Sequence, residues 1–300
     1  VVDVLSDVIT AARTGRPHSA RRERRAPWEV RHEPFAGAGF HLVLEGSCHF
    51  TPPKGQPFEL RAGDVVFLPR GSAHTLSGSS TVMVCGAYVM DRARPHPLLD
   101  KLPDVVHLPA RIGQRHELRG AIELLSSELS QPRPGGDALL PALLDAMLLY
   151  LIRAWLDDRG EDHTGWTAAL RDPEIRLALD GIHSQPDRRW TVAELAAAAG
   201  LSRAAFARRF TTLVGRPPLA YLTWWRMTTA ARHLRDSDLP LRSVAERVGY
   251  TSEYAFAAAF KRELGLAPGS YRRRPSPPSP DADEAGWDAQ EVQSTLDLGG

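Results

Sequence analysis

Residues 191–210 read TVAELAAAAGLSRAAFARRF, and residues 243–260 read SVAERVGYTSEYAFAAAF. The two stretches are one pattern written twice. Ala205, Phe206, Phe210, Gly215, Pro218 and Tyr221 recur fifty positions later as Ala255, Phe256, Phe260, Gly265, Pro268 and Tyr271. Just upstream, Ala196 and Gly200 recur as Ala245 and Gly249, offset by forty-nine. Self-similarity of this kind marks two copies of one supersecondary unit. Each copy reads as a short helix, a turn with a glycine and a second helix, the outline of a helix-turn-helix. Thr191 and Glu194 have capping-box spacing, Gly200 suits a left-handed helix end, and Ser202 suits the next N-cap.

In the second helix of the first copy, Phe206 and Phe210 lie four apart and face inward with Leu213. The opposite face presents Arg203, Ala204, Ala207, Arg208 and Thr211. Arginine suits guanine edges or phosphates, and small alanines permit close approach to a groove. In the second copy the outward residues are Ser252, Glu253, Tyr254, Ala257, Ala258 and Lys261. That face has no arginine, so it is expected to contribute shape and phosphate contacts, with Glu253 able to accept from a cytosine amino group. Arg216, Arg262, Arg272 and Arg273 add flanking charge. Between the copies, residues 218–236 read as one helix about 28 Å long at about 1.5 Å per residue. Such a spacer suits two recognition helices about one DNA turn apart.

The charge distribution agrees with a phosphate-bearing partner. The net charge is only +1, but residues 171–274 hold 18 basic and 10 acidic side chains. Residues 275–300 hold six acids and no base. A basic domain beside a nearly neutral one favours nucleic acid. The 43% apolar and 24% charged content is that of globular protein with sizeable cores. Two cysteines are too few for a disulfide framework, so a reducing, cytoplasmic setting is expected. Residues 1–26 contain no run that reads as a secretory leader. The most membrane-like run, residues 138–156, contains Pro141, Asp145 and Arg153 and reads as a buried or interface helix, so no membrane role is expected.

Residues 188–274 resemble the DNA-binding domain of the AraC/XylS transcription regulators, and AFAAAFKRELGLAPGSYR at 255–272 follows that family's signature. The resemblance implies two helix-turn-helix units joined by a linker helix and reading adjacent major-groove segments. By position, its base-contacting sites fall on Ala204, Ala207 and Arg208, then on Glu253, Tyr254 and Ala258. It further implies a double-stranded DNA operator and RNA polymerase as partners, with activation the commoner behaviour and repression also open.

Upstream, the period is that of strands. FHLVLEG, HFTPP, PFELRAGD, VVFLPRG and TVMVCGAYVM, between residues 28 and 90, read as an all-β unit. GDVVFLPRGSAH at 63–74 has the spacing of the second cupin motif, with His74 pointing into a small barrel. Aligning the first motif on Gly46 puts Glu33, Phe35 and Gly39 where metal-binding cupins carry their ligands. His41, two residues beyond Gly39, shares its strand face. His41 and His74 are therefore expected in one pocket, either as hydrogen-bonded core residues or as contacts for an effector. No metal set is spelled out, and neither a metal, a cofactor nor a catalytic residue is expected. Cys48 and Cys85 read as buried thiols, with Cys85 also a redox candidate if His41 or His74 lies close.

The expected architecture is multidomain α and β. Residues 1–26 form an N-terminal arm with a short helix and the basic cluster Arg21, Arg22, Arg24 and Arg25. Residues 27–110 form a cupin-like β-barrel sensor. Residues 111–165 form a central helical dimerisation segment and linker, with the broad apolar helix 137–158 supporting a homodimer. Residues 166–274 form an all-α double helix-turn-helix domain, and residues 275–300 an acidic, disordered tail. The expected function is that of a sequence-specific transcription regulator, not an enzyme, modulated by a small-molecule or redox signal in the barrel. An architectural DNA binder and a metal-dependent cupin enzyme are the rival readings.

Overall fold

Two long strands organise the β-rich part of the computed structural model, which describes residues 3–25, 27–90, 99, 102–110, 115–158 and 165–274. These are β3 (Gly37–Thr51) and β6 (His74–Val89). They pair antiparallel from Gly37 opposite Val89 to Thr51 opposite Thr75, with register shifts at Val43/Glu45 and Gly46/Cys48. The sequence runs FHLVLEG and HFTPP are thus one strand, because Gly46 at φ 76° forms an irregularity rather than a break. Such bulges bend a ladder and let one sheet curl around a core. β1 (His18–Arg24) pairs with the later part of β6, and β2 (Trp28–His32) with its beginning. β4 (Phe58–Arg61) and β5 (Val65–Leu68) pair with β3, and β7 (Val106–Leu108) pairs with β5. Phe50, Leu60, Val66, Leu68 and Leu76 fill the interior, as expected of a cupin-like barrel.

One expectation is corrected here. The basic cluster does not belong to an N-terminal arm: Arg21, Arg22 and Arg24 lie in β1, a strand at the end of the sheet order, with Ala20 opposite Cys85. HSARRER shows no apolar alternation because an edge strand lets its charged side chains reach water.

Two helices complete this unit, α2 (His116–Ser130) and α3 (Gly136–Asp158). Among the described residues α3 is the one helix with the length and composition of a membrane span. Its Leu144, Met147, Leu148, Leu151 and Ile152 are nonetheless fully buried, and Tyr88 Oη donates to the Leu144 carbonyl at 2.6 Å. Leu139 remains half exposed.

The second compact unit is helical. It contains α1 (Val4–Ala12), α4 (Gly165–Arg171), α5 (Pro173–Ser184), α6 (Val192–Ala198), α7 (Arg203–Val214), α8 (Pro218–Asp236), α9 (Leu241–Arg247), α10 (Glu253–Leu264) and α11 (Pro268–Arg272). The sequence repeat is a structural repeat. Ser202 and Ser252 cap α7 and α10 by accepting from the third amide onward, each at 3.3 Å. The Phe206–Phe210 rings lie 5.4 Å apart at 52°, and Phe256–Phe260 lie 5.6 Å apart at 55°. Tyr221 stands edge-on to Phe210 and Tyr271 to Phe260. Both halves of the capping box form: Glu194 N–H donates to Thr191 Oγ1 at 3.1 Å and Thr191 N–H to Glu194 Oε2 at 2.8 Å. Leu213 is only half-buried, and Val214 takes the interior position instead. α8 spans the nineteen residues read from the sequence.

α1 belongs with the helices rather than the barrel. Its Asp7 Oδ2 meets His183 Nδ1 at 3.1 Å, His183 Nε2 meets Tyr221 Oη at 2.8 Å, and the imidazole stacks on Trp225 at 4.0 Å. The tail 275–300 and residues 159–164 of the expected linker lie outside the described residues.

Two consequences can be measured. Gly200 and Gly249 occupy matching turns at φ 66° and 79°. A Cβ at Gly249 would meet the Asp187 carbonyl at 2.6 Å, whereas one at Gly200 meets nothing within 4 Å. Gly200→Ala should cost about 1–2 kcal/mol of left-handed strain, and Gly249→Ala clearly more, read as urea midpoints. Burial of His183 lowers its pKa against the opposing pull of Asp7. Because the unfolded chain then binds the extra proton, stability falls as pH drops below about 6.5, by at most about 1.4 kcal/mol per pH unit. His183→Gln should flatten that slope in hydrogen exchange of α5 and α8.

Candidate nucleic-acid interface and a buried histidine cluster

The inward phenylalanines dictate what α7 and α10 show to solvent. On α7, Arg203, Ala204, Arg208 and Thr211 are exposed and Ala207 is half-buried. On α10, Ser252, Glu253, Tyr254, Ala258 and Lys261 are exposed and Ala257 is half-buried. Tyr254 is 90% exposed, an unusual position for a large ring. Two hydroxyls in this set are already engaged. Thr211 Oγ1 donates to the Ala207 carbonyl at 2.7 Å, and Ser252 caps its helix.

The adjacent arginines of α7 have different roles. Arg209 is held by Asp172 at 2.6 Å and by Glu174 at 2.6 Å, which ties α7 to the start of α5. Arg208 makes no ion pair among the described residues, and neither do Arg203 and Lys261. Of the flanking bases, Arg262 pairs with Glu263 at 3.6 Å, Arg272 donates to the Leu239 carbonyl, and Arg216 lies 6.0 Å from the Trp224 ring centroid. Acids therefore offset Arg209 and Arg262, while Arg216 and Arg272 keep their full charge.

Inside the barrel the structure brings together the three residues marked as effector or redox candidates. His41 Nε2 lies 2.7 Å from His74 Nε2, and His41 Nδ1 lies 3.0 Å from Cys85 Sγ. His74 Nδ1 donates to the Ser72 carbonyl at 2.8 Å. Register explains the convergence: His41 sits opposite Cys85 across β3 and β6. Burial, with the neighbouring imidazoles, holds His41 well below its ordinary pKa, and burial lowers His74 to about 4. Both are neutral near pH 7.

A fourth member was not singled out in the sequence. His32 is buried at the end of β2, directly opposite His74, and its ring stacks on that of His74 with centroids 4.6 Å apart. Burial lowers its pKa to about 3. The signal available was the alternation of Val30 and His32 on one strand face. Cys48 joins none of this: it is buried, and its thiol is pushed up to about 11 by burial and then Asp64.

Residues 3–157 match the cupin family, and residues 195–274 match a helix-turn-helix domain family. A putative AraC-like transcription regulator of Streptomyces lividans is 34% identical over 304 residues, spanning 92% of this chain and all of that protein. The RCS-specific HTH-type transcriptional activator RclR of Escherichia coli K12 is 34% identical over 82% of this chain and 89% of its own length. Among solved structures, the DNA-binding domain of AdpA in complex with a target DNA is 37% identical, with a TM-score of 0.32, covering 34% of this chain and 90% of that one. An identity of this level over nearly the whole length, carried by a cupin domain followed by a duplicated helix-turn-helix, places the chain in the AraC family of DNA-binding transcription regulators.

Proposed function

We propose that this regulator reads its operator chiefly through α7, with Arg208 as the principal base-reading side chain. The observation that carries the proposal is the contrast between two neighbours: Arg209 is bound to Asp172 and Glu174, while Arg208 is exposed, without an ion pair among the described residues, beside Ala204 and Ala207. A free guanidinium between small residues can approach guanine O6 and N7. Arg203 and Lys261 suit phosphates, and Ser252 and Thr211 contribute through backbone and shape rather than free hydroxyls. In the second unit, Glu253, Tyr254, Ala257 and Ala258 form a surface with no arginine, where Tyr254 offers its ring to a thymine methyl or a sugar.

The barrel is the sensing half in this reading, and the pocket of His41, His74 and Cys85 is where a small-molecule or redox signal acts. The protein works as a cytoplasmic homodimer through the exposed side of α3 around Leu139, and activates transcription through RNA polymerase. The support for pairing is the half-exposed apolar face that α3 retains after burying its other side.

The test is selection from random duplexes followed by affinity measurement. Arg208→Ala should lose about 1–3 kcal/mol and relax one position of the enriched motif. Lys261→Ala should weaken all sequences alike and lower the salt slope by about one. Two chains per duplex are expected in the same assay. An unchanged motif in Arg208→Ala would remove α7 as the reading helix.

A further inference from the structure

The His41–His74 pair alone accounts for a satisfied hydrogen-bond relay. Cys85, His41, His74 and the Ser72 carbonyl follow one another at 3.0, 2.7 and 2.8 Å. His32 is buried beside this relay, with centroids 5.0 Å from His41 and 4.6 Å from His74. One ligand atom from each of the three rings lies within 4.8 Å of the other two.

We propose that His32, His41 and His74 form a binding site for one late first-row divalent metal ion of the zinc type. The three donors come from three strands, β2, β3 and β6, so the sheet itself holds them together. Their chemistry selects the ion: three imidazoles suit zinc, copper, nickel or iron, whereas calcium and magnesium need oxygen ligands. The outer shell is already in place. The Ser72 carbonyl can only accept, so His74 carries its proton on Nδ1 and turns the Nε2 lone pair toward His41. In the relay His41 Nε2 carries the proton that His74 Nε2 accepts, so ligation moves that proton to His41 Nδ1, where Cys85 Sγ accepts it from behind and the Nε2 lone pair is left facing the same point. Ligating imidazoles are oriented by this kind of partner on the far nitrogen. Tetrahedral coordination at about 2.0–2.1 Å sets nitrogens about 3.3 Å apart. Binding therefore spreads the 2.7 Å His41–His74 pair and draws in His32.

The site is not the one the cupin motif would place. Of the motif positions, Glu33 is exposed and paired with Arg31 at 3.2 Å, and Phe35 and Gly39 carry no donor. Only His74 is shared. A cavity of about 30 Å³ adjoins the cluster on the side of His32 and Cys85.

The proposal deepens the sensor reading of the barrel and rests on that reading only for its effect on DNA. The test uses the full chain, stripped by chelator, titrated with Co²⁺ and then competed with Zn²⁺. One equivalent per chain is expected, with the visible bands of tetrahedral Co²⁺ and no sulfur charge-transfer band, since Cys85 stands behind His41. His32→Gln and His74→Gln, each checked for a folded barrel by circular dichroism, should bind more than about 100-fold more weakly. Cys85→Ser should lose about 10-fold while keeping the bands, the range found for outer-shell partners. Absence of binding by the wild type, or wild-type affinity in folded His32→Gln, overturns the site. Operator affinity of the same samples is read separately. Metal binding that leaves DNA affinity unchanged supports the site and contradicts the barrel's sensing role; a chain that binds no metal loses the site while another ligand can still serve as signal.

Discussion

Burial of two phenylalanine pairs, each closed by a tyrosine, is the constraint from which the DNA-facing surface follows. Phe206 and Phe210 with Tyr221, and Phe256 and Phe260 with Tyr271, occupy the inward faces of α7 and α10 in nearly the same ring geometry. Residues four apart on a helix fix its rotation about its own axis. Once the aromatic side is buried, Ala204 and Arg208 on one helix, and Tyr254 and Ala258 on the other, face solvent. The serine caps set the start of each helix, and Gly215 and Gly265 set the end in the left-handed region. The outward residues have diverged between the copies while the inward ones have not.

The barrel solves a different problem. Neutral imidazoles are costly to bury without partners, and here three are buried together with their pKa values held low. The cross-strand placement of His32 on His74 and of His41 on Cys85 makes the cluster a property of register. A one-residue slip of β2 would turn His32 to the other face.

How far the sequence could be read depended on the range of the forces involved. The helix-turn-helix pair, its caps and the nineteen-residue α8 were legible because they arise from residues within a few positions of one another. His74 was legible through the local spacing of Gly63, Pro69 and Gly71. β1 was not, because HSARRER forms an edge strand without apolar alternation. His32 was not legible because it stands one residue before the motif position at Glu33 and meets His74 only across strands distant in sequence. The placement of α1 by Asp7 on His183 joins residues 176 positions apart, and nothing local announces such a contact.

The central claim is that both recognition helices enter successive major-groove segments, with α7 carrying the base reading. Guanine-N7 methylation interference on the duplex enriched by the full chain tests it most directly. The account predicts two segments of interference about 10 base pairs apart on one face of the duplex, with the stronger interference in the segment that Arg208→Ala silences. A single segment, or interference that Arg208→Ala leaves unaltered, would contradict it.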